Sequence, residues 1–128
     1  MKKKILVVED EKNLRRLYQS ELEAEGYEVV TAANGEEALD DLKRIPIDLV
    51  VMDLMFPRGM GLGYLSNFMG LDRNLKVVIN SAYPDYKLDF HSWAAEAFLT
   101  KSSDLSELKN TIQQILQKNE RRVKPFFS

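Results

Sequence analysis

The chain contains no cysteine and a single histidine, His91. Disulfides, thiolate nucleophiles and cysteine-bound zinc are therefore excluded, and a centre built on several imidazoles cannot form. Long hydrophobic runs are missing too, since nothing approaches the roughly 20 consecutive apolar residues of a membrane span. Met1-Lys2-Lys3-Lys4 carries the charge of a signal-peptide start, but the apolar run behind it, Ile5 to Val8, stops at Glu9. Nor does charge of one sign dominate. The 18 basic and 20 acidic side chains leave a net charge of −2, which exerts no general pull toward nucleic acid or a membrane surface. Repeats, low-complexity tracts and linkers are absent. These absences lead us to expect a cytoplasmic protein with no direct nucleic-acid or membrane partner. What is present is an ordinary mixture, 45% hydrophobic and 30% charged over 128 residues. That is one domain, long enough to bury a full core.

Strand and helix signals alternate along the chain. Ile5 to Val8 is continuously apolar, as a strand covered on both faces should be. Leu14, Leu17, Tyr18 and Leu22 recur at helical spacing, and Gly26 can close that helix in a left-handed conformation. Tyr27 to Ala32 reads as a second strand. Asn34 is placed to cap a helix carrying Ala38, Leu39 and Leu42, which Pro46 stops. Leu49 to Met52 is the third strand, and Phe56 to Gly61 reads as a loop. Leu62, Leu65, Phe68 and Met69 mark a third helix, Val77 to Ile79 a fourth strand and Ala97 to Leu99 a fifth. A last helix carries Leu105, Leu108, Ile112, Ile115 and Leu116 on one stripe, with Asp104 and Glu107 placed to cap it reciprocally. The stretch from Pro84 to Ala94 has a period of two, but a parallel crossover requires a helix there. Five βα units joined by right-handed crossovers give an α/β fold, a doubly wound five-stranded parallel sheet with helices on both faces.

The strand ends carry the chemistry. The first strand ends in Glu9-Asp10-Glu11, the third in Asp53, the fourth in Ser81 and the fifth leads to Lys101. Ligands of open parallel sheets bind beyond the carboxyl ends of the strands. An acid pair, an Asp, a hydroxyl and a Lys gathered there can hold a hard cation and transfer a phosphoryl group. Taken alone, each residue is as well explained as a solvated loop charge or a helix cap. Gly59-Met60-Gly61-Leu62-Gly63 has part of a dinucleotide fingerprint. It follows the wrong strand, and the acids of the first βα turn would repel a pyrophosphate.

Ile5-Leu-Val-Val-Glu-Asp-Glu11, Asp48 to Pro57 with Gly61, Ser81-Ala82-Tyr83 and Phe98-Leu-Thr-Lys101 resemble the receiver domain of two-component response regulators. The likeness runs in order from Lys4 to about Leu116. It implies a flavodoxin-like sheet of order 2-1-3-4-5, with residues 1–120 as the receiver and 121–128 as a short basic and aromatic tail. It also implies that Asp53 accepts the phosphoryl group and that Mg2+ is held by Glu9, Asp10, Asp53 and the Met55 backbone carbonyl. Lys101, the Ser81 hydroxyl and the Ala82 amide would meet phosphoryl oxygens, while Ser81 and Phe98 would form the switch. The implied partners are a sensor histidine kinase or phosphotransfer protein, and a downstream protein on the face of fourth helix, fifth strand and fifth helix. Such a domain is a phosphoacceptor in a phosphorelay rather than an enzyme, although it promotes its own phosphorylation and slow dephosphorylation.

The sequence departs from this pattern at four places. Glu9 stands for the more usual Asp, Met55 offers only its backbone, and the stretch between Ser81 and Lys101 is short. Ser102 replaces the Pro that usually follows the Lys across a cis bond. A cis bond to a non-proline residue costs about 2.5–4 kcal/mol, so the placement of Lys101 is an open question at this point. Two other readings differ in what they require. An aspartyl-nucleophile phosphatase typically has a second acid two residues after the Asp, where this chain has Met55. A degenerate receiver would bind partners without being phosphorylated, and the retained Asp10, Asp53, Ser81 and Lys101 argue against it.

Overall fold

The computed structural model describes residues 2–53, 60–82 and 95–123, with side chains described in 2–53, 64–82 and 95–117. Within these residues lie five strands: β1 (Lys4–Val8), β2 (Glu28–Ala32), β3 (Leu49–Met52), β4 (Lys76–Ser81) and β5 (Ala97–Thr100). Four helices accompany them: α1 (Lys12–Ala24), α2 (Gly35–Arg44), α3 (Met60–Leu71) and α4 (Ser106–Val123). All strand pairs are parallel and the order is β2-β1-β3-β4-β5. The expected fourth helix, between Pro84 and Ala94, lies outside the described residues.

Continuous apolar strands are required because both faces of the sheet are covered. Leu6, Val8, Val50, Met52, Val77 and Ile79 point to one side, against Ala38 of α2 and Leu65 and Phe68 of α3. Ile5, Val7, Leu49, Val51 and Val78 point to the other, against Tyr18 and Leu22 of α1 and Leu108, Ile112 and Leu116 of α4. Among the described helices no segment is long and apolar enough to cross a membrane.

Helix ends follow local chemistry. The Glu11 carboxylate accepts from the Leu14 N–H at 2.7 Å and so caps α1, which leaves its neighbour Asp10 out of the helix. Gly26, with φ of +99°, turns the chain toward β2. Asn34 caps α2 by accepting from the Glu37 N–H at 2.9 Å, and Ile45, ahead of Pro46, ends it in an extended conformation. Asp104 accepts from the Ser106 N–H at 2.9 Å at the start of α4. The Glu107 half of the expected reciprocal cap is not among the described hydrogen bonds. One boundary differs from the sequence reading: Gly61, expected in a loop, lies in the first turn of α3.

Gly35 opens α2 directly beneath the Tyr64 ring of α3, where a Cβ would collide with the ring. Tyr64 in turn stacks on Phe68, with centroids 6.4 Å apart. Gly35→Ala should therefore cost about 1–3 kcal/mol through overpacking, and adding Tyr64→Ala should return part of the loss. Urea denaturation of the two variants checks this: a single variant as stable as wild type would show that the ring yields freely.

Candidate functional site

The order of the sheet reverses between β1 and β3, and such a switch point is where an α/β sheet opens a crevice. Backbone hydrogen bonds carry the ladder one residue beyond the strands on both sides of it. The Glu9 N–H donates to Ala32 O at 3.0 Å, Asp53 N–H to Val8 O at 3.1 Å and Lys101 N–H to Ser81 O at 2.7 Å. Glu9, Asp53 and Lys101 are therefore held by the sheet rather than by a free loop.

Glu9, Asp10 and Asp53 come together, with one carboxylate oxygen from each within 4.8 Å of the others. Glu9 is buried at 1% exposure, whereas Asp10 is exposed and Asp53 intermediate. Lys101 reaches into this group: its Nζ lies 2.7 Å from Glu9 Oε1 and 3.0 Å from Asp53 Oδ2. That settles the placement of Lys101 which the Ser102 departure had left open. Its backbone is pinned to β4 and its ammonium to two carboxylates.

Burial pushes the Glu9 carboxyl above its ordinary value, while the Lys101 hydrogen bond pulls the other way. Burial also works to depress Lys101, but the hydrogen bonds and charges of Glu9 and Asp53 together outweigh it and raise its pKa. The cluster thus holds three carboxylates, two of them paired with one ammonium. The nearby Arg15 guanidinium is directed at backbone oxygens, donating to Glu9 O at 2.9 Å. The excess negative charge and the all-oxygen donor set suit a hard divalent cation. Two ligand bonds of about 2.1 Å to one Mg2+ nearly span the distance between these oxygens.

The remaining expected residues are placed as follows. Ser81 is fully buried at the end of β4, and Ala82 is exposed just beyond it. Phe98 packs, partly buried, against the core on the α2–α3 side. Met55 and Tyr83 lie outside the described residues. Sequence reasoning missed three contributors: Glu11 as the helix cap, Arg15 as the clamp on the acidic loop, and a buried pair in which Asn80 Nδ2 donates to Tyr18 Oη at 3.2 Å. Glu11 and Arg15 were findable from their positions at the helix start. The Asn80–Tyr18 pair spans 62 residues and left no local signal.

Comparison with known proteins bears directly on this arrangement. The family model of the response regulator receiver domain matches residues 5–113. The chain belongs to that family. The receiver is 30% identical over 118 residues to sporulation initiation phosphotransferase F of Bacillus subtilis, covering 91% of this chain and 95% of that protein. It spans about half the length of other curated relatives, such as the probable transcriptional regulator ycf27 of Porphyridium aerugineum. The identity there is 33% over 119 residues, 91% of this chain and 49% of that protein. Among solved structures it resembles the response regulator TrrA of Thermotoga maritima, crystallised with Mg2+ and beryllium fluoride. The identity is 40% and the TM-score 0.81, over 88% of this chain and 97% of that one. TrrA is also solved in complex with the histidine kinase ThkA, where the match is 40% identical with a TM-score of 0.80, over 89% of this chain and 98% of the matched one.

The geometry separates two adjacent acids by role. Asp10→Ala should weaken Mg2+ binding about tenfold or more and leave thermal stability nearly unchanged, because its carboxylate lies in the acidic cluster while Glu11 makes the helix cap. Glu11→Ala should keep Mg2+ affinity but lose the cap, at a cost of about 1 kcal/mol. Mg2+ titration and thermal unfolding of both variants check the pair of expectations. Equal losses of Mg2+ affinity would refute the division.

Proposed function

We propose that this receiver accepts a phosphoryl group onto the Asp53 carboxylate, with Glu9, Asp10, Asp53 and the Met55 carbonyl holding Mg2+. The observation that carries the reading is the convergence on Asp53 of Lys101 and two further carboxylates at the switch point of the sheet. An Asp53 oxygen forms the bond to phosphorus as the bond from phosphorus to the donor's imidazole nitrogen breaks, and the electron pair leaves with the imidazole. Charge spreads over three equatorial oxygens in such a transfer, so positioning and neutralisation supply most of the catalysis. Lys101 is placed to meet one of these oxygens, and the Ser81 hydroxyl and Ala82 N–H serve others. Bound Mg2+ would neutralise charge on the same group.

A sensor histidine kinase or phosphotransfer protein is the donor in this reading. The complex of TrrA with a histidine kinase, and the binding of a phosphoryl mimic with Mg2+ by TrrA, support it. Phosphorylation then acts through Ser81 and Phe98 on the output face that the family resemblance assigns to the expected fourth helix, the fifth strand and the last helix, where a downstream protein docks. The test is incubation with acetyl phosphate and Mg2+, followed by intact-mass measurement. One added phosphoryl group is expected, and none when the cation is chelated. Steady release of phosphate from a small phosphoester would overturn the reading in favour of a phosphatase.

A further inference from the structure

Tyr18 and Asn80 are both almost fully buried, at 3% and 4% exposure, and they bond to each other across the α1–β4 interface. A polar pair is an unusual choice for this place. Tyr18 belongs to the apolar cluster of Val7, Val51, Val78 and Leu108, and Asn80 lines a small cavity with Leu99, Leu105 and Leu108 among others. Two apolar side chains of similar shape would fold about as well, since replacing both partners of a buried hydrogen bond is often nearly neutral. The pair's position offers another reason for it. Asn80 is bonded through the chain to Ser81, and the Ser81 carbonyl accepts the Lys101 N–H at 2.7 Å. Tyr18 also shares the walls of one surface cleft with Lys101 and Ser102. Its hydroxyl, whose pKa burial raises, feels the charges of Lys101, Glu9 and Asp53.

We infer that Tyr18 and Asn80 are positioning residues for phosphoryl transfer: their hydrogen bond anchors the end of β4 to α1 and so sets Ser81 and Lys101 against Asp53. The chain of contacts runs from Tyr18 Oη through Asn80 Nδ2 and Ser81 O to the Lys101 backbone. No buried side-chain nitrogen or oxygen among the described residues lacks a hydrogen-bond partner. Buried polar contacts of this kind hold their members in one geometry, and transfer rates are sensitive to small misplacements of charged groups.

This inference rests on the phosphoacceptor reading above, and the experiment separates the two. Wild type, Tyr18→Phe and Tyr18→Phe/Asn80→Val are compared in acetyl phosphate labelling at saturating Mg2+, together with Mg2+ affinity and thermal stability. Tyr18→Phe removes one oxygen, leaves the ring in place and should fold. The double variant removes the unpaired amide and should recover any stability that Tyr18→Phe loses. In both variants the maximal labelling rate should fall about tenfold, with Mg2+ affinity and half-saturating acetyl phosphate within about twofold of wild type. A purely structural pair would behave differently, its rate recovering with stability in the double variant. That recovery, or a Tyr18→Phe protein labelled as fast as wild type, would overturn the inference alone. Failure of wild type to be labelled would overturn the phosphoacceptor reading and this inference with it.

Discussion

Asp53→Asn should gain no phosphoryl group under conditions that label wild type to completion. The substitution keeps the size of the side chain and one acceptor oxygen, but an amide is not a competent nucleophile toward phosphorus. It also removes one of three carboxylates around the cation site and the 3.0 Å ion pair with Lys101. Glu9 and Asp10 stay where they are, because the backbone bond of Glu9 to Ala32 and the Arg15 bonds to the Glu9 and Asp10 carbonyls do not involve the Asp53 side chain. They are poor substitutes: Glu9 is buried and engaged by Lys101, and no ion pair joins Asp10 to Lys101 among those of the described residues. Intact-mass measurement after acetyl phosphate treatment gives a yes-or-no answer. Labelling of Asp53→Asn at the wild-type rate would place the acceptor elsewhere.

Lys101→Met should lose about 10²-fold in labelling rate, the scale on which removing one preorganised charge donor acts on a transition state. It should at the same time bind Mg2+ more tightly, because a competing cation has left the carboxylates. Its stability should become strongly pH-dependent. Glu9 in the folded protein has its pKa raised by burial above the ordinary 4.5. The folded state therefore holds a proton that the unfolded state has released, and stability falls as pH rises from about 4.5 through the raised value. Lys101 opposes this in wild type. Without it the Glu9 pKa rises further, so the loss should be small near pH 4.5 and about 2–3 kcal/mol at neutral pH, below the ~3–5 kcal/mol of a fully buried broken pair because Glu9 can take up a proton. Mg2+ should restore part of it. Urea denaturation across pH, with and without Mg2+, checks the expectation. A loss independent of pH would mean that Lys101 contributes packing rather than charge.

The residues that define the site were legible because parallel sheets place strand ends together, and each end carries its own local signal. Glu9, Asp10, Asp53 and Lys101 each follow an apolar run that is visible in the sequence. The capping side chain of α1 was less legible. Asp10 and Glu11 are adjacent acids, and only the backbone path after Val8 decides that Glu11 turns back to the helix and Asp10 does not. The start of α3 was misplaced for a related reason. Gly61 and Gly63 weaken the helix signal, yet packing of Leu65 and Phe68 into the core draws the helix back to Met60.

By itself the sequence determined the order of the elements, the two-faced burial of the strands and the chemistry available at their ends, since each depends on neighbours a few residues apart. Tertiary structure alone decided which groups meet. Lys101 Nζ bonds a carboxylate 92 residues away in Glu9, and Asn80 meets Tyr18 across 62 residues. Such contacts depend on the register of the sheet and the seating of α1 on it, and those are set by packing of the whole core rather than by any local run of residues.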